Sequence, residues 1–156
     1  MEQPKPIKRS EQLAPLSRDH HEGLLLGWKI RQGVKKEVGL DRINAYVNWF
    51  WEHHLDEHFR QEENVFGKFV DAKDEGLQRM LREHTMIRDL ALNNNSEAGL
   101  MQLDELLTAH IRFEEREFFP HVESMLSTDQ LNEAASLLQK ESSNSATWQD
   151  EFWAGK

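Results

Sequence analysis

Between residues 47 and 69 the chain reads VNWFWEHHLDEHFRQEENVFGKF, with Val47, Trp51, Leu55, Val65 and Phe69 recurring at helical spacing. Successive residues of an α-helix turn by about 100°, so these five define one apolar face. On that phase His58 falls at the centre of the face, Glu62 lies about 40° from it and His54 about 40° to the other side. Glu63 and His53 point away. A carboxylate on the apolar face is the anomaly, because an unpaired buried charge is strongly unfavourable. Glu62 therefore requires a cation or a strong partner.

His58 and Glu62 form the phrase His-x-x-x-Glu, a spacing that stacks an imidazole and a carboxylate on one side of a helix. The phrase recurs as His110 with Glu114. There Leu103, Leu106 and Leu107 lead into His110 on the core face, Glu114 follows on it, and Glu115 turns outward. In the intervening segment Leu77 and Met80 bracket an inward His84, with Leu81, Ile87 and Ala91 on the same side. Upstream, His20 shares a stripe with Leu16, Leu24, Gly27 and Val34, and the adjacent His21 is its alternative. His53 with Glu57 has the same spacing and reads as a surface pair. Inward His54 and His121 read as packing groups or as hydrogen-bond partners of the ligating side chains.

Four long amphipathic segments, near 17–36, 41–70, 73–92 and 97–126, are joined by short turns. They predict an all-α, up-down-up-down four-helix bundle. Ser17 reads as the N-cap of the first helix, Gly39 as its break, and Asn93-Asn94-Asn95-Ser96 as a turn. Ser127 or Thr128 would cap a short fifth C-terminal helix reaching about residue 141. Residues 1–15, with Pro4, Pro6 and Pro15, read as an extended N-terminal arm, 16–126 as the bundle, and 127–156 as the C-terminal helix and tail. The Ser/Asn-rich stretch 142–147 reads as a linker to an aromatic tail holding Trp148, Phe152 and Trp153. That tail is expected to cover one end of the bundle, with a homodimer contact or a protein partner as its other use.

Composition excludes whole classes of function. With no cysteine there is no disulfide, no thiolate zinc site, no iron–sulfur cluster and no thiol nucleophile. A net charge of −9 leaves no basic face for nucleic acid. No run approaches the roughly 18–20 apolar residues of a membrane span. The opening MEQPKPIKRSEQLAP lacks the apolar core of a secretory signal, which predicts a cytoplasmic location.

His20, His58, His84 and His110 together with Glu62 and Glu114 make a mixed imidazole–carboxylate donor set. Six protein ligands are too many for one tetrahedral zinc. They suit two metal ions bridged by the carboxylates, each with room for an exogenous ligand. Nitrogen and oxygen donors with open positions favour iron, with manganese or zinc as alternatives.

The segments LSRDHHEGLL, FWEHHLDEHFRQEE, LREHTMIRDL and LLTAHIRFEEREFFP, taken in order, resemble the hemerythrin-like family of HHE cation-binding domains over residues 16–126. That family places a histidine on the first helix, His-x-x-x-Glu on the second, a histidine on the third, and a histidine plus a carboxylate on the fourth. The resemblance implies metal ligation by His20, His58, His84 and His110, with Glu62 and Glu114 as bridges. The implied cofactor is a non-haem di-iron centre with an oxo or hydroxo bridge. Two departures stand out. Oxygen-carrying members have His-x-x-x-His on the third helix, where this chain has Met80. They also carry an aspartate five residues after the fourth-helix histidine, where this chain has glutamate at both +4 and +5.

The expected function is binding, sensing or reaction of O2, NO or peroxide at the centre, rather than plain oxygen carriage. No side chain beyond the ligands stands out as a dedicated acid, base or nucleophile. One alternative is a ferroxidase of the ferritin-like kind, which needs Glu-x-x-His pairs, and the chain has none. The other is a metal-free helical interaction module, which would have to bury Glu62 and Glu114 without a cation.

Overall fold

A computed structural model of the chain describes residues 9–93, 96–138 and 147–154. It is helical, with no strand among the described residues. The helices are α1 (Ala14–Lys35), α2 (Leu40–Phe50), α3 (Asp56–Phe69), α4 (Glu75–Asn93), α5 (Glu97–Phe113), α6 (Phe119–Met125) and α7 (Thr128–Leu138). A π-helical turn at Trp51–Leu55 joins α2 to α3 without a break, and a second at Glu114–Phe118 joins α5 to α6. Each is marked by a backbone bond reaching five residues back, from Asp56 to Trp51 and from Phe119 to Glu114. The described chain is thus five helical rods: α1, α2–α3, α4, α5–α6 and the short α7.

Local chemistry explains the boundaries, including where they differ from expectation. Helix α1 starts at Ala14, not at Ser17, because Pro15 in the first turn loses no hydrogen bond there. The Ser17 hydroxyl is used elsewhere, donating to Glu115. The helix ends before Gly39 is reached. Glu37 takes a left-handed conformation (φ 57°), and the Val38 N–H bonds back to the Gly33 carbonyl. Ser127 caps α7 reciprocally: its hydroxyl accepts from the Gln130 N–H, and its own N–H donates to the Gln130 side chain. Of the remaining expectations, the first eight residues of the arm, the tip of the 93–96 turn at 94–95, the end of the fifth helix at 139–141 and the linker through 146 lie outside the described residues.

Two apolar clusters form the core. One gathers Leu26, Ile30, Val47, Leu55, Ile87 and Leu107; the other gathers Leu16, Val65, Phe66, Met80, Phe118 and Phe119. Every long rod contributes to both and carries a histidine between its two contributions: Leu16–His20–Leu26, Leu55–His58–Val65, Met80–His84–Ile87 and Leu107–His110–Phe118. A polar layer is therefore sandwiched between two apolar ones. Successive rods run through the layers in opposite order.

Three apolar positions depart from expectation. Leu24 and Leu81 are exposed, at 43% and 40%. On α1 the inner stripe runs through Gly23 and Gly27 instead, where α5 approaches so closely that a Cβ on Gly23 would stand 2.9 Å from Ile111 Cδ1. On the second rod Phe66 and Val70 are buried while Phe69 is only half-buried, because the π turn advances the inward position by one residue. The tail packs on its own chain. Phe152 is buried beside Gly33 and Ile43, Trp148 and Trp153 lie against the Tyr46 ring, and Arg42 pairs with Asp150 at 2.6 Å. Among the described residues no helix is long and apolar enough to cross a membrane.

Candidate metal centre

All six expected donors lie in the polar layer. His20, His58, His84 and His110 are buried, and Glu62 and Glu114 are fully buried. The adjacent His21 is exposed. The donors form two groups, His20–His58–Glu62–Glu114 and Glu62–His84–His110–Glu114, with one donor atom per residue all within 4.8 Å of one another. The two glutamates belong to both groups. These buried clusters could hold a metal ion.

The imidazole Nε2 atoms face inward. That of His20 lies 2.8 Å from Glu114 and that of His84 lies 3.1 Å from Glu62. Those of His58 and His110 approach Glu62 and Glu114, each at 3.4 Å. Most of these approaches are not aligned as hydrogen bonds. Nε2 of His58, His84 and His110, both Glu62 oxygens and Oε2 of Glu114 are buried with no hydrogen-bond partner among the described residues. Such a density of unsatisfied buried polar atoms is costly, and a cation is what would satisfy imidazole lone pairs and carboxylates together. The residues present fit a metal.

Each imidazole is held from outside at Nδ1 by a carboxylate of another rod. Asp19 on α1 holds His58 at 3.1 Å, and Glu63 on α3 holds His84 at 2.8 Å. Glu83 on α4 holds His110 at 2.7 Å, and Glu115 in the second π turn holds His20 at 2.9 Å. The four bonds close a ring, in which each rod lends an acid to the next and the fourth lends to the first. A carboxylate on Nδ1 fixes ring orientation and tautomer and leaves Nε2 to coordinate. Stacking fixes the planes further: Phe59 lies 3.8 Å from the His84 ring at 7°, and Phe119 lies 5.5 Å from His20 at 10°.

Glu63 and Glu115 were expected to turn away from the centre. They do leave its interior, yet their side chains reach the neighbouring rod's histidine. Helix phase on one segment shows where a side chain leaves the backbone, not what it meets on the next helix. A signal was present: His-x-Arg-x-Glu-Glu occurs twice, at 58–63 and 110–115, and an acid directly precedes His20 and His84. Of the two readings open to His54 and His121, His54 takes the packing one, and neither has a hydrogen bond to the six donors. His54 packs against Trp49 and Phe50, and His121 pairs with Asp74 at 2.7 Å on the surface. His53 bonds the Trp49 carbonyl at 2.9 Å. Met80, where a further histidine would stand, is fully buried in apolar surroundings.

The second π turn shapes the centre directly. Consecutive Glu114 and Glu115 contact opposite nitrogens of the single His20 ring, which a wider turn permits more readily than an α-helical one. Pro120, which has no N–H to return to the preceding turn, stands just beyond it.

Electrostatics in the metal-free chain follow from this packing. Burial, reinforced by Glu114, holds the Glu62 carboxyl well above the usual carboxylate range. Burial acts on Glu114 in the same sense, but the His110 and His20 imidazoles outweigh it and hold that carboxyl well below. Burial alone would lower His110, yet Glu114 and Glu83 lift it to about 9. His20 is raised by Glu114 and Glu115 against its burial, and His84 is lowered by burial. Protons on imidazoles thus offset part of the buried negative charge.

Beside the His20 and His58 donors lies a small cavity of about 10 Å³, bordered by Gly23, Leu55, Leu107, His110 and Ile111. It is apolar on one side and faces imidazoles on the other, with space for about one water-sized molecule. No protein-family model, curated protein or solved structure matches the chain.

Proposed function

We propose that this chain is a hemerythrin-like, non-haem di-iron protein that binds, senses or reacts with O2, NO or peroxide. Residues 16–126 would form an up-down-up-down four-helix bundle, a reading supported by the opposite order in which successive rods traverse the two apolar clusters. His20 and His58 would serve one ion, His84 and His110 the other, with Glu62 and Glu114 shared between them. One observation carries the proposal: two buried histidine pairs face two fully buried glutamates common to both, and six of these polar atoms have no hydrogen-bond partner among the described residues.

Bound there, iron supplies Lewis-acid and one-electron chemistry toward a small ligand. The protein's part is preorganisation. The outer carboxylates orient the imidazoles, the stacked phenylalanines hold their planes, and the two apolar clusters exclude water. The small cavity beside His20 and His58, with space for about one water-sized molecule, limits what can approach that side of the centre to very small ligands. No side chain of the cavity lining outside the donor set and its outer acids carries a titratable group, so proton transfer would rest on those acids.

Anaerobic purification followed by metal analysis and optical spectroscopy on exposure to air tests the proposal. The expected result is about two irons per chain and new near-ultraviolet charge-transfer bands. A chain that folds normally and retains less than one equivalent of any transition metal would overturn it.

A further inference from the structure

The ring of acid–histidine bonds closes where the fourth rod returns to the first, at Glu115 and His20, and there a residue from outside the four rods intervenes. Arg9 precedes α1, yet its side chain is only 9% exposed. A guanidinium so buried needs partners, and it has them on three sides. Nη1 bonds Glu123 at 2.7 Å, Nη2 bonds the Glu115 carbonyl at 2.5 Å, and Nε bonds the Ser17 hydroxyl at 3.2 Å. That hydroxyl donates to Glu115 Oε2 at 2.6 Å, the same oxygen that contacts His20 Nδ1 at 2.9 Å. A second route reaches the same ring through its face: Arg9 lies 5.2 Å above the Phe119 ring, and Phe119 stacks on His20. Among the described residues only one other outer acid is held by an arginine, Glu83 by Arg79 one turn away on its own helix. Asp19 and Glu63 hold their histidines from largely exposed positions, at 55% and 43%.

We infer that Arg9 is a positioning residue for the His20 half of the centre, acting through Ser17, Glu115 and Phe119, so that the segment ahead of α1 sets the affinity of one of the two metal positions. The inference rests on the two-metal reading above. Removing Arg9 leaves the Glu115 carboxylate tethered by the Ser17 hydroxyl alone and loosens the acceptor of His20 Nδ1. The His84–His110 half keeps its own acids.

Stepwise titration of the metal-free full chain with Co(II), followed by its visible spectrum, tests this. Wild-type protein should take up two ions. Arg9→Ala should weaken one of the two steps by about 10–100-fold, the usual effect of losing a partner that orients a ligand, and leave the other unchanged. Ser17→Ala should weaken the same step while the Arg9–Glu123 pair still anchors the segment, and the double variant should weaken that step further and leave the other unchanged. Arg9→Lys, which restores charge but not the fork, should recover only part of the loss. Two ions in the wild type but equal or no weakening of both steps in Arg9→Ala overturns the role of Arg9 alone. A wild type that binds no ion overturns the metal reading and this one with it. If Arg9→Ala does not fold, Ser17→Ala decides, because an unchanged titration there breaks the chain.

Discussion

At the scale of the residue, the four imidazoles share one arrangement: Nδ1 on a carboxylate, Nε2 turned inward. An imidazole so held is more basic at its free nitrogen and loses less freedom on coordination. Substitutions should therefore fall into two grades. Glu62→Ala and Glu114→Ala each remove a donor common to both groups and should abolish most metal retention in dialysed protein. Glu63→Gln, Glu83→Gln and Glu115→Gln keep the side chain's size but weaken its hold on the ring, and should lower metal affinity about tenfold each. Indistinguishable affinities for these three and wild type, measured by competition with a chelator, would mean that the outer acids are incidental. The sequence alone led to a different expectation, that Glu63 and Glu115 turn away from the centre. Their positions on their own helices were read correctly, but a glutamate is long enough to leave one helix sideways and bond the next.

At the scale of the element, the two π turns decide how far an ideal helical ruler can be trusted. The ruler placed His58, Glu62, His84, His110 and Glu114 inside because an apolar stripe is wide enough to absorb a small drift. It slipped at Phe69, beyond the first π turn, where burial passes to Phe66 and Val70. Neither turn carries an unambiguous mark in the sequence; only Pro120, near the second, hints at one. The close approach of α1 and α5 at Gly23 was equally hidden, since a glycine in a helical pattern does not reveal what faces it. A methyl group there would press on Ile111 Cδ1 at 2.9 Å, beside the small cavity. Gly23→Ala should cost about 1–3 kcal/mol if Ile111 cannot yield. It should also slow the reaction of the metal-loaded protein with NO in stopped-flow measurements. Unchanged stability together with an unchanged rate would show that the contact is soft and that the cavity is not the approach route.

At the scale of the whole molecule, helical class and the existence of a buried donor cluster were legible because the histidines recur on four separate amphipathic segments. The tail's aromatic residues were likewise legible as a cover. The contacts between rods were not, because they join residues distant in the chain, from 21 positions for His84 with Glu63 to 95 for His20 with Glu115. Protonation links this layer to global stability. In the metal-free chain His110 has a pKa of about 9 against an ordinary 6.5, so its contribution is complete below 6.5 and lost as pH rises through 9. Glu62, held above the carboxylate range, acts in the same sense, whereas lowered Glu114 and His84 penalise the acid side. Chelator-treated protein should therefore melt at a lower temperature near about pH 9.5 than near about pH 6.5, and metal should remove most of that fall. A flat melting temperature across this range without metal would contradict the assignment of protons to His110 and Glu62.

The ring of acid–histidine bonds has a mechanical consequence. Every long rod is lender to one neighbour and borrower from another, so sliding any single rod strains two links at once, on opposite sides of it. A disturbance at one imidazole is thereby passed around the circumference rather than along one helix. The four rods behave as a coupled linkage, with no natural end at which motion could be absorbed.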